Sequence, residues 1–139
     1  MNRVLVTALI KGQGRAELKV KKLALQVLKI LQKKAVSLEI FLVSSQKLKH
    51  FNKEYRKKNK PANVLSFKEP REFLYPDHKK RIGEIFLNIS AVSDRERLAL
   101  FLVHGILHLF GYEHKTKSGR IRMEKKERQV RYKILNSNS

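Results

Sequence analysis

The spacing of apolar and polar positions divides the chain into alternating strands and helices. Val4 to Ile10 is an apolar, partly β-branched run that predicts a strand, and Lys11 to Arg15 supplies two glycines for a turn. From Glu17 to Lys34, Leu18, Val20, Leu23, Leu25, Val27, Leu28 and Leu31 recur at helical spacing with lysines between them, which predicts an amphipathic helix. SLEIFLV, Ser37 to Val43, predicts a second strand. Ser45 opens a short basic helix, QKLKHFNKEYRKK, closed by Pro61, because the residue before a proline avoids helical geometry. Val64 to Phe67 predicts a short strand, residues 68–80 a loop with two prolines, and Ile82 to Ile89 another strand. The S-x-x-E capping box from Ser93 to Glu96 opens a helix running to Phe110, with Gly111 as its left-handed terminator. A last basic helix, Gly119 to Leu135, leads into the polar tail NSNS. The order β-α-β-α-β-β-α-α predicts an α/β (α+β) fold, a small mixed sheet packed with helices in a single domain over residues 1–139.

Charge changes this picture more than composition does. With 42% hydrophobic and 32% charged residues, the chain is globular in character. Its 32 lysines and arginines against 12 acids give a formal charge of +20. Such a charge on a small domain calls for a polyanionic partner: RNA, DNA or an anionic membrane surface. A general lysine bias would produce the same number without a partner. The charge concentrates at Lys47, Lys49, Lys53, Arg56, Lys57, Lys58 and Lys60, with Glu54 the one acid among them, and again along residues 115–133. Phe51 and Tyr55, four apart in the first segment, could stack bases, although such a pair is more often the buried face of a helix. Cysteine is absent, so disulfides are excluded and any metal site must use nitrogen and oxygen ligands. The opening MNRVLVTALI is too short an apolar run for a membrane span and carries no cleavage pattern, so a cytoplasmic location is expected.

Three of the five histidines fall in HGILHLFGYEH, residues 104–114, inside an apolar segment too short to span a bilayer. A buried imidazole without a partner is costly, so each must hydrogen-bond or bind something. His104 and His108 are four apart, on one face of a helix and one turn apart. After the break at Gly111 the chain can bring His114 back toward them. Three neutral imidazoles leave a fourth position open, the arrangement of a catalytic zinc site; nickel, copper and cobalt also accept imidazole. The spacing H-x-x-x-H-x-x-G-x-x-H coincides with the metzincin protease pattern, H-E-x-x-H-x-x-G-x-x-H, in which the glutamate is the general base. Here that position is Gly105. A glycine within a helix costs about 1 kcal/mol relative to alanine, so it serves close approach of another element to the helix.

HGILHLFGYEH resembles the signature H-G-x-L-H-L-x-G-Y-D-H of the YbeY family of bacterial endoribonucleases. FNKEYRKKNKPANVLSF is similar to that family's N-x-x-Y-R-x-x-x-x-x-T-D-V-L-S-F motif, and GEIFLN to its G-D-I-x-I strand. The departures are Ala62 and Asn63 for Thr-Asp, Glu84 for Asp and Glu113 for Asp; only Asn63 loses a carboxylate. The resemblance implies a zinc-dependent single-strand endoribonuclease of ribosomal RNA maturation. It implies a metal held by His104, His108 and His114, with Arg56 facing the metal cleft, and makes Arg56 and His104 the candidate catalytic residues. Ribosomal RNA, the GTPase Era and a small-subunit protein are the implied partners; neither membrane nor DNA is expected. Two other readings stand beside it: an RNA-binding ribosome-assembly factor with a structural metal, and a zinc peptidase-like hydrolase, against which Gly105 speaks.

Overall fold

A computed structural model describes residues 1–56, 62–69 and 79–136. The elements follow the expected order, with one added 3-10 turn: β1 (Arg3–Ala8), α1 (Gly14–Ile30), β2 (Val36–Val43), α2 (Ser45–Arg56), β3 (Val64–Lys68), β4 (Lys80–Asn88), the 3-10 turn Ile89–Ser93, α3 (Arg95–Leu109) and α4 (Lys117–Leu135). The strands form one mixed sheet in the order β1-β2-β4-β3. β1, β2 and β4 are parallel, and β3 pairs antiparallel with β4 at the edge. The expected stop at Pro61 and most of the 68–80 loop lie outside the described residues.

Alternation along the strands sorts the side chains into two layers. Val4, Leu38, Ile40, Leu42, Ile85 and Leu87 join α1, α3 and α4 in the main core. Val43 and Leu65, with Phe41, Phe67 and Phe86, form a smaller cluster with Leu48 and Phe51 of α2. α1 buries Val20, Leu23, Ala24, Val27 and Leu28, a single stripe. Leu18, expected on that stripe, is exposed because the helical period carries it to the opposite side. The helix also ends at Ile30 and not at Lys34. The Lys33 amide donates to the Leu28 carbonyl and the Gln32 amide to that of Lys29, with Gln32 left-handed at φ 59°. This is a Schellman stop without a glycine, so the sequence carries no signal for it.

α3 is the central element. It buries Leu98, Ala99, Leu102, Val103, Ile106, Leu107 and Leu109, each large aliphatic side chain contributing about 2 kcal/mol. Its cap is Asp94, whose side chain accepts from the Glu96 and Arg97 amides at 3.1 and 3.2 Å. The expected cap, Ser93, ends the 3-10 turn instead and donates to the Ser90 carbonyl. The Asn88 side chain caps that turn by accepting from the Ser90 amide, which shifts the start of α3 by one residue. At the other end Gly111 is left-handed at φ 95°, and a second Schellman stop forms from its amide to His108 and from the Tyr112 amide to Leu107.

Gly105 is where α3 meets the sheet. A Cβ there would lie 3.0 Å from Ser66 Oγ, 3.1 Å from Val64 and 3.3 Å from Ile85. The Ser66 hydroxyl donates to the Gly105 carbonyl at 2.9 Å. A side chain at position 105 therefore points into β3 and β4. Gly105→Glu is expected to lower the free energy of unfolding by about 3 kcal/mol or more, from a buried charge forced against the sheet. Denaturant melts measure the loss, and a peptide-cleavage assay of the same variant is expected to stay blank.

Candidate metal centre

The two helical turns at the end of α3 place His104 and His108 together, and the Gly111 stop returns the chain so that His114 joins them. Each of the three offers one ligand nitrogen, and these atoms lie within 4.8 Å of one another. His104 Nε2 and His108 Nε2 are 3.1 Å apart. The ring centroids are separated by 4.6 Å (104–108), 5.1 Å (108–114) and 5.6 Å (104–114). Three imidazole nitrogens at this spacing can hold one metal ion, and the set is the nitrogen-only donor group that zinc accepts.

The protonation of the cluster suits ligation. The His108 pKa is lowered to about 4, first by burial and then by the neighbouring His104 and His114; a backbone hydrogen bond at Tyr112 opposes the shift and Arg56 adds to it. His108 is therefore neutral near pH 7, as a ligand must be. His104 faces the cluster through Nε2 because its Nδ1 lies 2.8 Å from Glu127 Oε2. This carboxylate, itself buried, fixes the ring and its tautomer. Sequence reading missed Glu127, although a signal exists: it sits in the buried row Met123, Glu127, Val130, Ile134 of α4, the one acid on an apolar stripe.

Arg56, the last residue of α2, is near enough for its charge to act on His108. Its guanidinium donates to the Ser66 carbonyl and lies over the Phe67 ring, 5.1 Å from the centroid. Ser66 in turn donates to Gly105, so one strand residue ties α2 to the histidine helix. Phe51 and Tyr55 divide: Phe51 is half-buried against Phe86, whereas Tyr55 is 66% exposed. Lys57, Lys58 and Lys60 lie outside the described residues. Asn63 is exposed before β3, and its carbonyl accepts from the Asn88 amide. Glu113 lies 3.7 Å from Lys68 and 3.9 Å from Lys115. Among the described residues no helix is long and apolar enough to cross a membrane.

A mixed α/β fold whose three converging imidazoles could hold a metal ion defines the class of protein. The family model described as endoribonuclease YbeY matches residues 10–135. An endoribonuclease YbeY of Aquifex aeolicus (strain VF5) is 35% identical, the match covering 96% of this chain and 90% of that protein. One of Persephonella marina (strain DSM 14350 / EX-H1) is 31% identical, covering 96% and 88%. A solution structure from Thermotoga maritima is 24% identical with a TM-score of 0.47, covering 97% of this chain and 93% of that one. The chain belongs to the YbeY endoribonuclease family.

Removing the Glu127 carboxylate is expected to loosen metal binding, because His104 loses the partner that orients it. Glu127→Ala should weaken zinc affinity about 10- to 100-fold in chelator competition, with Glu127→Gln, which keeps an acceptor oxygen, in between. Acid should act through His108. Its folded pKa of about 4 lies below the unfolded 6.5, so as pH falls from 6.5 toward 4 the unfolded chain takes up a proton that the fold refuses. Stability of the metal-free protein is expected to decline across that window, and His108→Gln should remove part of the decline in urea melts.

Proposed function

We propose that this chain is a zinc-dependent single-strand endoribonuclease of ribosomal RNA, acting as one domain in the cytoplasm, in small-subunit 3′-end maturation and ribosome quality control. His104, His108 and His114 are its metal ligands and Arg56 its phosphate-facing catalytic residue. The carrying observation is the convergence of three imidazoles and Arg56 at one end of α3 in a chain of charge +20. A cluster without thiolates or carboxylates favours zinc, with nickel the next candidate. A divalent ion held there supplies Lewis acidity toward a phosphate oxygen or a water molecule.

The chain's own residues supply the rest. The Ser66 carbonyl occupies one amino group of Arg56. The remaining donors of the guanidinium are the planar fork that grips phosphate and stabilises the charge gathering on it in the transition state. His104, clamped by Glu127, holds its Nε2 in place throughout. Gly105 offers no base, and Glu127 is engaged with His104. Two nucleophiles suit such a site, water and the RNA 2′-hydroxyl. Cleavage of a strand with hydrogen in place of the scissile 2′-hydroxyl assigns the attack to water, and refusal assigns it to the sugar. Ribosomal partners, the GTPase Era and a small-subunit protein, belong to the same reading.

The test compares wild type with Arg56→Ala on a ribosomal RNA 3′-end fragment, with metal content determined on each preparation. The variant is expected to keep its metal and lose about 100-fold or more in kcat. Equal turnover in both proteins would remove Arg56 from the chemistry. RNA binding without turnover in the metal-loaded wild type would point to a ribosome-assembly factor.

A further inference from the structure

Beside α2 the surface opens into a cavity of about 300 Å³ lined by Phe51, Tyr55, Phe67, Glu84 and Phe86. It lies on the sheet face that α2 covers. Tyr55 and Phe67 stand edge to face at 6.0 Å, and Phe51 and Phe67 each contact Phe86, at 5.1 and 5.8 Å. Two cations flank it over the rings themselves: Lys47 Nζ lies 5.8 Å from the Phe51 centroid, and the Arg56 guanidinium 5.1 Å from that of Phe67. Aromatic faces bordered by phosphate-binding cations are the way proteins hold single-stranded nucleic acid, with bases on the rings and backbone on the charges.

Glu84 gives this pocket a further property. Arg81 is shared among three carboxylates: Glu39 at 2.8 Å, Glu69 at 3.1 Å and Glu84 at 3.4 Å. Glu84 has the longest of these contacts and the most exposed side chain of the three. A carboxylate repels phosphate and accepts hydrogen bonds only, so in a basic RNA-binding surface it suits the N–H groups of a base edge. Among the four bases, guanine presents two adjacent donors, its ring N–H and its amino group, which match the two carboxylate oxygens.

We infer that this pocket is a nucleobase subsite, with the exposed Tyr55 ring as the stacking surface, Phe67 standing edge to face against it, and Glu84 selecting guanine. The inference rests on RNA being the substrate. It adds a position on the α2 face of the sheet where base identity is read, bordered by Arg56 through its contact with the Phe67 ring.

The test measures binding of short oligouridylates carrying a single central guanosine, adenosine, cytidine or uridine to the metal-free full chain at fixed salt. Inorganic phosphate serves as the control for charge alone. Wild type is expected to favour the guanosine oligomer. Tyr55→Ala should weaken binding of all four by about 10-fold, whereas Tyr55→Phe restores it. Glu84→Gln should abolish the guanosine preference while leaving affinity for the uridine oligomer within about two-fold, since it keeps the stacking surface. Tyr55 is exposed and Arg81 retains two other carboxylates, so neither substitution threatens the fold. Equal binding of the four oligomers by wild type, or a guanosine preference that survives Glu84→Gln, overturns base reading by Glu84. Unchanged affinity in Tyr55→Ala overturns the subsite, as would seating of a partner protein's side chain there with no displacement by RNA. Guanosine-selective binding by a metal-loaded wild type that cleaves no RNA would support the subsite and defeat the nuclease reading alone.

Discussion

Everything at the candidate site depends on seating one helix. α3 is apolar almost all round and must be buried, yet it carries two imidazoles, whose burial needs polar partners. The fold meets both demands through Gly105. With no side chain at that position, β3 and β4 approach the helix closely, and the large aliphatic residues around it fill the core. Glu127 bonds to His104 of the same helix and Ser66 to its Gly105 carbonyl, and Arg56 is bonded in turn to Ser66.

The imidazole cluster and its neighbours are delivered by different elements. α3 and the turn after it supply nitrogens. α4 supplies one buried acid to orient a ring. α2 supplies the guanidinium, held by a carbonyl of β3. None of these elements could hold the arrangement alone; a 15-residue helix is marginal in water without packing. The strong positive charge elsewhere adds attraction for a polyanion and little to the geometry, since exposed charges in water interact weakly and are screened within about 10 Å at ordinary salt.

Much of this was legible in the chain. Element order followed from periodicity because the strands alternate and the helices carry apolar stripes, which is a direct consequence of each having one face in the core. The convergence of His104, His108 and His114 followed from helical spacing and one glycine. The errors fell where a local signal competed with a longer-range one. Ser93 carried the better capping box, but the Asn88-capped 3-10 turn moved the start of α3 to Asp94. Leu18 looked like a core residue until the stripe centred on Val20, Leu23, Val27 and Leu28 placed it on the opposite side.

By itself, the sequence determined which groups are available and their local spacing: three imidazoles without cysteine, an arginine at the end of a basic helix, and a glycine where a protease would keep its base. Those properties are set by covalent order and by the helix repeat, which act over a few residues. Only the tertiary structure decided which distant groups touch. Glu127 reaches His104 across 23 positions of chain, Ser66 reaches Gly105 across 39, and Glu84 shares Arg81 with Glu39 and Glu69. Such contacts depend on how whole elements pack, and packing is a property of the sum of many weak contacts that no short stretch of residues carries.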